Sequence, residues 1–318
     1  KYYGAVVYAS STSSSAKASY WYVNPGDSIR YSLNSYEDVY SMAKVIGLTV
    51  DDATLRKVVM NDKQLTFDAT FNSVAYVKYD GSQFVNGSNA NTILPIASLT
   101  KLMTALVLND LTIDWTREVT ITEEEINYPK VLVNGDATSE VPLEAGDSVR
   151  MSDLWIAMLT ASSNQSAVIL ADNSGLSRQE FAAAMNKKAQ KLGLKKTKFY
   201  EMTGLDPNNV STPQEMALIA NSAFVIEKIA QSTQVPDYVF EVVQADGNTR
   251  QVDVKNRNYS LLAMGADASK TGFLVEAQRN VVLRKNNNII VVLHALSTVQ
   301  RNQIIQKLFT ASELSYAQ

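Results

Sequence analysis

Three short motifs follow one another along this chain, and together they constrain it more than any other feature. They are Ser98-Leu99-Thr100-Lys101, Ser162-Ser163-Asn164 and Lys270-Thr271-Gly272. Each motif alone recurs by chance, and Ser-x-x-Lys also occurs at Ser14 and at Ser41. Long intervals separate the three motifs, so they can lie on different elements that converge on one cleft. Such a set supplies a serine nucleophile that needs no histidine.

Composition removes the other common routes to nucleophilic catalysis. The 318-residue chain has no cysteine, which excludes thiol catalysis, thiolate metal sites and disulfides. Its one histidine, His294, lies in the apolar run from Ile289 to Leu296, which predicts a buried strand rather than a catalytic base. We therefore expect no Ser-His-Asp triad, no metal site and no cofactor.

Charge and hydropathy limit the partners. The net charge of −3 predicts no nucleic-acid partner. No apolar run approaches the ~20 residues that a membrane span needs, so membrane association is expected only through segments absent from this chain. The start at Lys1 is expected for a mature or trimmed chain.

The composition changes along the chain and suggests two parts. Residues 9–19 are small and polar, which is typical of a linker. Residues 36–60 predict a pair of helices, the first ending at Gly47 and the next capped at Asp51 or Asp52. We therefore expect residues 1–65 to form an N-terminal linker with a small accessory helical segment. Residues 66–318 are expected to form the functional domain.

The pattern from about residue 66 predicts an α+β fold. A β-rich run from Phe71 to Tyr79 meets a turn at Asp80-Gly81-Ser82 and resumes as a strand. Apolar residues at helical spacing after Ser98 predict a helix that begins at that serine. Further helices are expected at the capping boxes of Ser177 and Thr212. A hairpin after Lys270 and a helix over 299–309 complete a sheet with helices packed against it.

The first motif has the geometry of a nucleophile and its base. Ser98 and Lys101 are three residues apart in the predicted helix, so their side chains share a face, and the helix N-terminus favours a developing alkoxide. Lys101 can accept the serine proton only when it is neutral. Burial and a neighbouring cation lower the pKa of a lysine, and Lys270 is the expected neighbour.

The other two motifs supply groups for the substrate. Ser162 can relay a proton to a leaving amine, and Asn164 can bond a substrate amide. Lys270 and Thr271 offer a cation and a hydroxyl, which suit a substrate carboxylate. Gly272 lets the strand backbone approach the substrate closely.

The surrounding sequence resembles the low-molecular-mass penicillin-binding proteins, the serine D-alanyl-D-alanine carboxypeptidases, over roughly residues 66–312. The segments that carry the resemblance are Leu94–Thr104 around Ser98, Gly204-Leu205-Asp206, and Asn256-Arg257-Asn258 ahead of the last motif. The resemblance implies the transpeptidase fold shared with β-lactamases, an antiparallel sheet flanked by helices with an all-helical lobe.

The resemblance also implies roles for the motif residues. Ser98 would be acylated, Lys101 would be its base, and Ser162 with Asn164 would form the second wall of the cleft. Lys270 with Thr271 would hold the substrate carboxylate, and the backbone N–H groups of Ser98 and Phe273 would form the oxyanion hole. The implied partners are peptidoglycan stem peptides and β-lactam antibiotics, and the implied location is extracytoplasmic, in a bacterium.

Two alternatives stay open at this point. A class A β-lactamase shares the three motifs but needs a Glu-x-x-Leu-Asn element beyond Ser162, and the nearest match, Glu123–Asn127, precedes that serine. A non-catalytic peptidoglycan-binding protein on the same fold is the other. The chain departs from the family pattern at Gln165, Leu274 and Gln278, and the departure at Leu274 keeps this alternative open.

Overall fold

The computed structural model describes residues 6–10, 19–23, 30–32, 48–51, 74–133, 135 and 138–313. These residues divide into two compact units. The first holds the short strands before residue 52, together with Val74 and residues 295–300. The second holds residues 75–294 and the chain from Arg301 onward.

The first unit contains a four-stranded sheet. Its strands are β1 (Val6–Ser10), β2 (Ser19–Val23), β3 (Arg30–Ser32) and β4 (Leu48–Asp51). They lie in the order β3-β2-β1-β4, with β1 antiparallel to β2 and parallel to β4.

This sheet corrects part of the prediction for the N-terminal segment. Strand β4 begins directly after Gly47, in the break between the two helices expected over 36–60, where Thr49 and Val50 are β-branched and favour a strand. The linker expected over 9–19 is shorter than predicted, because β1 includes Ser10 and β2 begins at Ser19. The rest of both segments lies outside the described residues, as does the boundary at residue 65, which stays a prediction.

The second unit carries the remaining elements, except that the last residue of β15 and the first three residues of α9 belong to the first unit. Its strands are β5 (Ala75–Tyr79), β6 (Phe84–Ser88), β7 (Leu94–Pro95), β8 (Glu118–Thr120), β9 (Ser148–Arg150), β10 (Val210–Ser211), β11 (Asp237–Val243), β12 (Thr249–Lys255), β13 (Ala268–Leu274), β14 (Gln278–Lys285) and β15 (Asn288–Ala295). Its helices are α1 (Thr100–Asp110), α2 (Glu123–Leu132), α3 (Met151–Thr160), α4 (Asn164–Asp172), α5 (Arg178–Lys191), α6 (Pro213–Phe224), α7 (Glu227–Gln234), α8 (Tyr259–Ala263) and α9 (Thr298–Glu313).

The main sheet has five strands in the order β13-β14-β15-β5-β6. Strand β13 is antiparallel to β14, and β5 is antiparallel to both β15 and β6, so strands from both ends of the unit meet in one sheet. The consecutive residues Val281–Leu283 and Ile289–Leu293 are all buried, which indicates that both faces of these strands are covered. Helix α6 packs on β5 and β14.

The remaining helices pack on one another beside that sheet. Helix α1 contacts α4, α5 and α6, and α4 also contacts α2 and α3. All residues from Thr100 to Leu108 are buried, so α1 is enclosed on every side rather than along one stripe. A smaller sheet, β12-β11-β9-β8, completes the unit. The α+β prediction is confirmed.

Several local predictions are also confirmed, one with a difference. The Ser177 capping box closes in both directions at the start of α5. At α6, Thr212 accepts from the Glu215 backbone N–H, but the Glu215 carboxylate bonds the N–H groups of Lys195 and Lys196 instead. Among the described helices, none combines the length and the apolar character needed to cross a bilayer.

Candidate active site

Ser98 lies at the junction of two helices. A 3-10 turn over Ala97–Leu99 leads directly into α1, and Ala97 adopts a φ of +48°. The approach is fixed by pairing of β7 with β10 and by the N–H of Ile96, which donates to the carbonyl of Asn209. As the spacing predicts, the Lys101 Nζ lies 3.0 Å from the Ser98 Oγ.

Lys101 is fully buried and has two further oxygen partners. Its Nζ lies 2.6 Å from the Asn164 Oδ1 and 2.8 Å from the carbonyl oxygen of Thr203. A neutral amine has two hydrogens and one lone pair. If the two hydrogens go to Asn164 and Thr203, the lone pair is left facing the Ser98 hydroxyl.

Electrostatics favour that neutral form. Burial lowers the pKa of Lys101 to about 8, against the opposing charges of Glu201 and Glu140. The sequence predicts that Lys270 contributes to this lowering. In the structure, the repulsion instead lowers the pKa of Lys270. Burial, followed by the charges of Lys101 and Arg257, holds that pKa well below its ordinary value.

The second and third motifs meet through one hydrogen bond. The buried Lys270 Nζ donates to the Ser162 Oγ at 2.7 Å and to the carbonyl of Thr271 at 3.0 Å. Ser162 follows the end of α3 with a φ of +61°, a left-handed conformation that is uncommon for residues other than glycine. Ser163 then caps α4 by accepting from the Ser166 N–H.

Strand β13 brings the third motif against the first, because it packs on the 3-10 turn of Ser98. A Cβ built on Gly272 would lie 3.0 Å from the Ser98 backbone nitrogen, so a glycine is what allows this approach. The Thr271 hydroxyl donates to the Asn258 Oδ1 at 2.8 Å. The Phe273 ring is half exposed, with the Arg279 guanidinium 5.0 Å from its centre.

A buried carboxylate that sequence reasoning missed shapes the loop behind Lys101. Glu201 accepts hydrogen bonds from the backbone N–H groups of Thr203 and Gly204 and from the Asn209 Nδ2. These bonds hold the loop so that the carbonyl of Thr203 faces Lys101. Burial raises the pKa of Glu201, and the same hydrogen bonds oppose that rise. No motif signals this residue, because its partners come from its own loop and from Asn209.

Two other contributors were also missed. Glu140 borders Asn164 from the segment before β9, and Asn258 holds the Thr271 hydroxyl. Asn258 belongs to the Asn-Arg-Asn segment that carries part of the family resemblance, which was the available signal. Glu140 had none.

The segment that came nearest to a β-lactamase element has a structural role. Glu125 and Thr122 close a capping box at the start of α2, and the Asn173 amide also donates to the Glu125 carboxylate. The Glu125 carboxylate therefore stabilises the helix end through these hydrogen bonds. In the described part of the chain, no cluster of three or more His, Cys, Asp or Glu side chains could hold a metal ion.

A serine and a lysine on one helix turn, beside a Lys-Thr-Gly edge strand on this α+β fold, are the arrangement of a serine DD-peptidase of the low-molecular-mass penicillin-binding class. The match of the D-alanyl-D-alanine carboxypeptidase family model covers residues 57–297. The chain belongs to that family. The β-lactamase and non-catalytic alternatives are not favoured.

Individual relatives agree with this assignment. The D-alanyl-D-alanine endopeptidase of Haemophilus influenzae is 27% identical over 76% of this chain and 80% of its own length. The D-alanyl-D-alanine carboxypeptidase DacC of Escherichia coli is 30% identical over 73% of this chain and 58% of its own length. The crystal structure of the Streptomyces K15 DD-transpeptidase has a TM-score of 0.68 at 26% identity, covering 74% of this chain and 95% of that one.

Proposed function

We propose that this protein is a serine D-alanyl-D-alanine carboxypeptidase that removes the terminal D-alanine from peptidoglycan stem peptides through an acyl-enzyme on Ser98. The observation that carries the proposal is the placement of the Lys101 Nζ, 3.0 Å from the Ser98 Oγ and bonded to two other oxygens. That arrangement supports a base whose lone pair faces the nucleophile.

In the acylation step, the Ser98 oxygen attacks the carbonyl carbon of the penultimate D-alanine while its proton moves to the neutral Lys101 Nζ. The negative charge that develops on the carbonyl oxygen is bound by the backbone N–H groups of Ser98 and Phe273. Each such donor contributes on the order of 100-fold to the rate.

The tetrahedral intermediate then expels the terminal D-alanine. Its C–N bond breaks, and the proton held by Lys101 reaches the leaving nitrogen by way of the Ser162 hydroxyl. The hydrogen bond from Lys270, at 2.7 Å, orients that hydroxyl. Water enters the vacated space, gives a proton to Lys101 and attacks the ester carbonyl. The bond between that carbon and the Ser98 oxygen then breaks while Lys101 passes the proton to the serine oxygen, which frees Ser98 and the shortened peptide.

The substrate carboxylate is held by Lys270 and by Thr271, whose hydroxyl hydrogen turns from the Asn258 Oδ1 to the carboxylate. Burial and neighbouring cations lower the pKa of Lys270. A substrate carboxylate that binds beside Lys270 stabilises its ammonium form, and the two groups form an ion pair. A contact between Asn164 and the substrate requires a change of hydrogen-bond partner, because the Asn164 Nδ2 already donates to Ser139 and Glu140. A substrate amide that used it would replace one of these acceptors.

The protein acts outside the cytoplasm of a bacterium, where peptidoglycan lies, and it is acylated by β-lactams. Endopeptidase action on cross-linked peptides is the second candidate, because the Haemophilus influenzae relative carries that name.

The test combines a covalent probe with product analysis. A fluorescent penicillin should label the wild-type protein and Ser41→Ala, which alters another Ser-x-x-Lys serine, but not Ser98→Ala. Chromatography of muropeptides should then show loss of the terminal D-alanine from monomers. Cleavage confined to cross-linked dimers would favour the endopeptidase, and labelling that survives in Ser98→Ala would refute the nucleophile.

A further inference from the structure

Glu140 is a half-buried carboxylate against the start of α4, outside the three motifs. It accepts four hydrogen bonds. The donors are the Thr138 hydroxyl at 2.7 Å, the Ser163 hydroxyl at 3.1 Å, the Asn164 Nδ2 at 3.2 Å and the Gln165 backbone N–H at 2.8 Å. A carboxylate offers about four lone-pair positions, and these four donors occupy them.

The contact with Asn164 determines which end of that amide faces the base. The two ends of an asparagine amide have nearly the same shape, so the surrounding partners decide its orientation. Here the Nδ2 lies 3.2 Å from both the carbonyl of Ser139 and the Glu140 carboxylate, which are acceptors only. The Oδ1 is thereby turned toward the Lys101 Nζ, at 2.6 Å.

We infer that Glu140 is a positioning residue for acylation, because it holds the Asn164 carbonyl oxygen toward Lys101 and so directs the lone pair of that base at Ser98. The inference rests on the roles given to Lys101 and Ser98 in the proposed function. In the flipped orientation, the Nδ2 would face Lys101. The amine would lose an acceptor, and its lone pair could then turn from Ser98 to the amide.

The negative charge of Glu140 also affects the pKa of Lys101. The carboxylates of Glu201 and Glu140 raise the pKa of Lys101, whereas the repulsion between Lys101 and Lys270 lowers the pKa of Lys270. Removing the negative charge of Glu140 therefore lowers the pKa of Lys101. The pH at which the acylation rate reaches half of its maximum then also falls.

The test uses the acylation rate by fluorescent penicillin, measured across a pH range that brackets the Lys101 pKa of about 8. Glu140→Gln should lower the maximal rate about tenfold, the size expected for loss of a hydrogen bond to a charged group, while KM for a peptide substrate changes less than twofold. Its pH midpoint should move to lower pH. Glu140→Asp, which keeps the charge, should retain the wild-type midpoint. The matched control is Glu144→Gln, since Glu144 is exposed and its loss removes the same charge.

A double variant separates positioning from simple stabilisation. In an Asn164→Ala background, Glu140→Gln should cause little further loss, because the residue through which it acts is gone. A full tenfold loss in that background would overturn the inference. So would wild-type rate and midpoint in a folded Glu140→Gln, or an effect confined to deacylation.

Failure of the underlying function has a different signature. If Lys101→Arg keeps substantial acylation, the proposed base is wrong whatever Glu140 does. If Lys101→Arg is inactive while Glu140→Gln matches the wild type, the base stands and the role of Glu140 alone is refuted.

Discussion

Gly204 allows the closest backbone approach in the site, and replacing it by alanine is a sharp test of how tightly the nucleophile is held. A Cβ at Gly204 would lie 2.0 Å from the carbonyl oxygen of Ala97 and 2.9 Å from the Thr100 Oγ1. The φ of +86° adds a cost of about 1–2 kcal/mol for any L side chain. Gly193 offers a matched control, with a φ of +75° and, among the described residues, no atom within 4 Å of its Cβ.

The difference between the two variants isolates the clash. To restore an ordinary contact of 3.4 Å from 2.0 Å, the loop after Glu201 and the turn before Ser98 must separate by about 1.4 Å, and overpacking of this kind costs about 1–3 kcal/mol. We therefore expect Gly193→Ala to destabilise by about 1–2 kcal/mol and Gly204→Ala by about 2–5 kcal/mol. At about 2–4 °C per kcal/mol, the melting temperatures should differ by several degrees.

The rate should respond more strongly than stability. The loop carries the Thr203 carbonyl that binds Lys101, and the turn carries Ser98, so their separation misaligns the base and the nucleophile. A misplacement of about 1 Å can reduce a rate about 100-fold. Fluorescent-penicillin acylation should therefore fall about 100-fold in Gly204→Ala and stay at the wild-type level in Gly193→Ala. Equal rates and equal melting temperatures in the two variants would refute the reasoning.

Three further predictions concern the base and the acyl-enzyme. Lys101→Arg should be nearly as damaging as Lys101→Ala, because arginine keeps its proton; a substantial acylation rate in the arginine variant would contradict the role of a base. Since burial lowers the pKa of Lys101 to about 8 and its neutral form reacts, the wild-type acylation rate should rise about tenfold per pH unit below that value and level off above it; a rate that is flat from acid to alkaline pH would count against it. The adduct with benzylpenicillin should be long-lived, because the tethered leaving amine stays in the cleft and the Glu125 carboxylate is engaged at a helix end; rapid recovery of free enzyme by intact-mass spectrometry would instead indicate β-lactamase turnover.

Local patterns in the sequence predicted a large part of the fold. The helix after Ser98, the capping box at Ser177 and the hairpin of β14 with β15 each depend on residues close together in the chain. The same holds for the contact between Ser98 and Lys101, because one helical turn brings the two side chains together wherever the helix lies. These features could be read without knowledge of the rest of the molecule.

Pairing between distant segments was not predicted. Leu48–Asp51 lies between the two helices expected over residues 36–60, and it pairs as a strand with β1, which lies far away in the sequence. Strand pairing between distant segments leaves no signature in a short window, whereas an i, i+3 contact does.

The tertiary structure alone decided how the site is tuned. The three motifs identify the candidate reacting groups. The pKa of Lys101, however, is set mainly by burial, which depends on how the helices around α1 pack. Its acceptors come from the Thr203 loop and from Asn164, and Asn164 is oriented by Glu140. The physical reason is that burial and hydrogen-bond direction arise from groups brought together only when the chain is folded, while the sequence by itself determines the chemical types available and their local spacing.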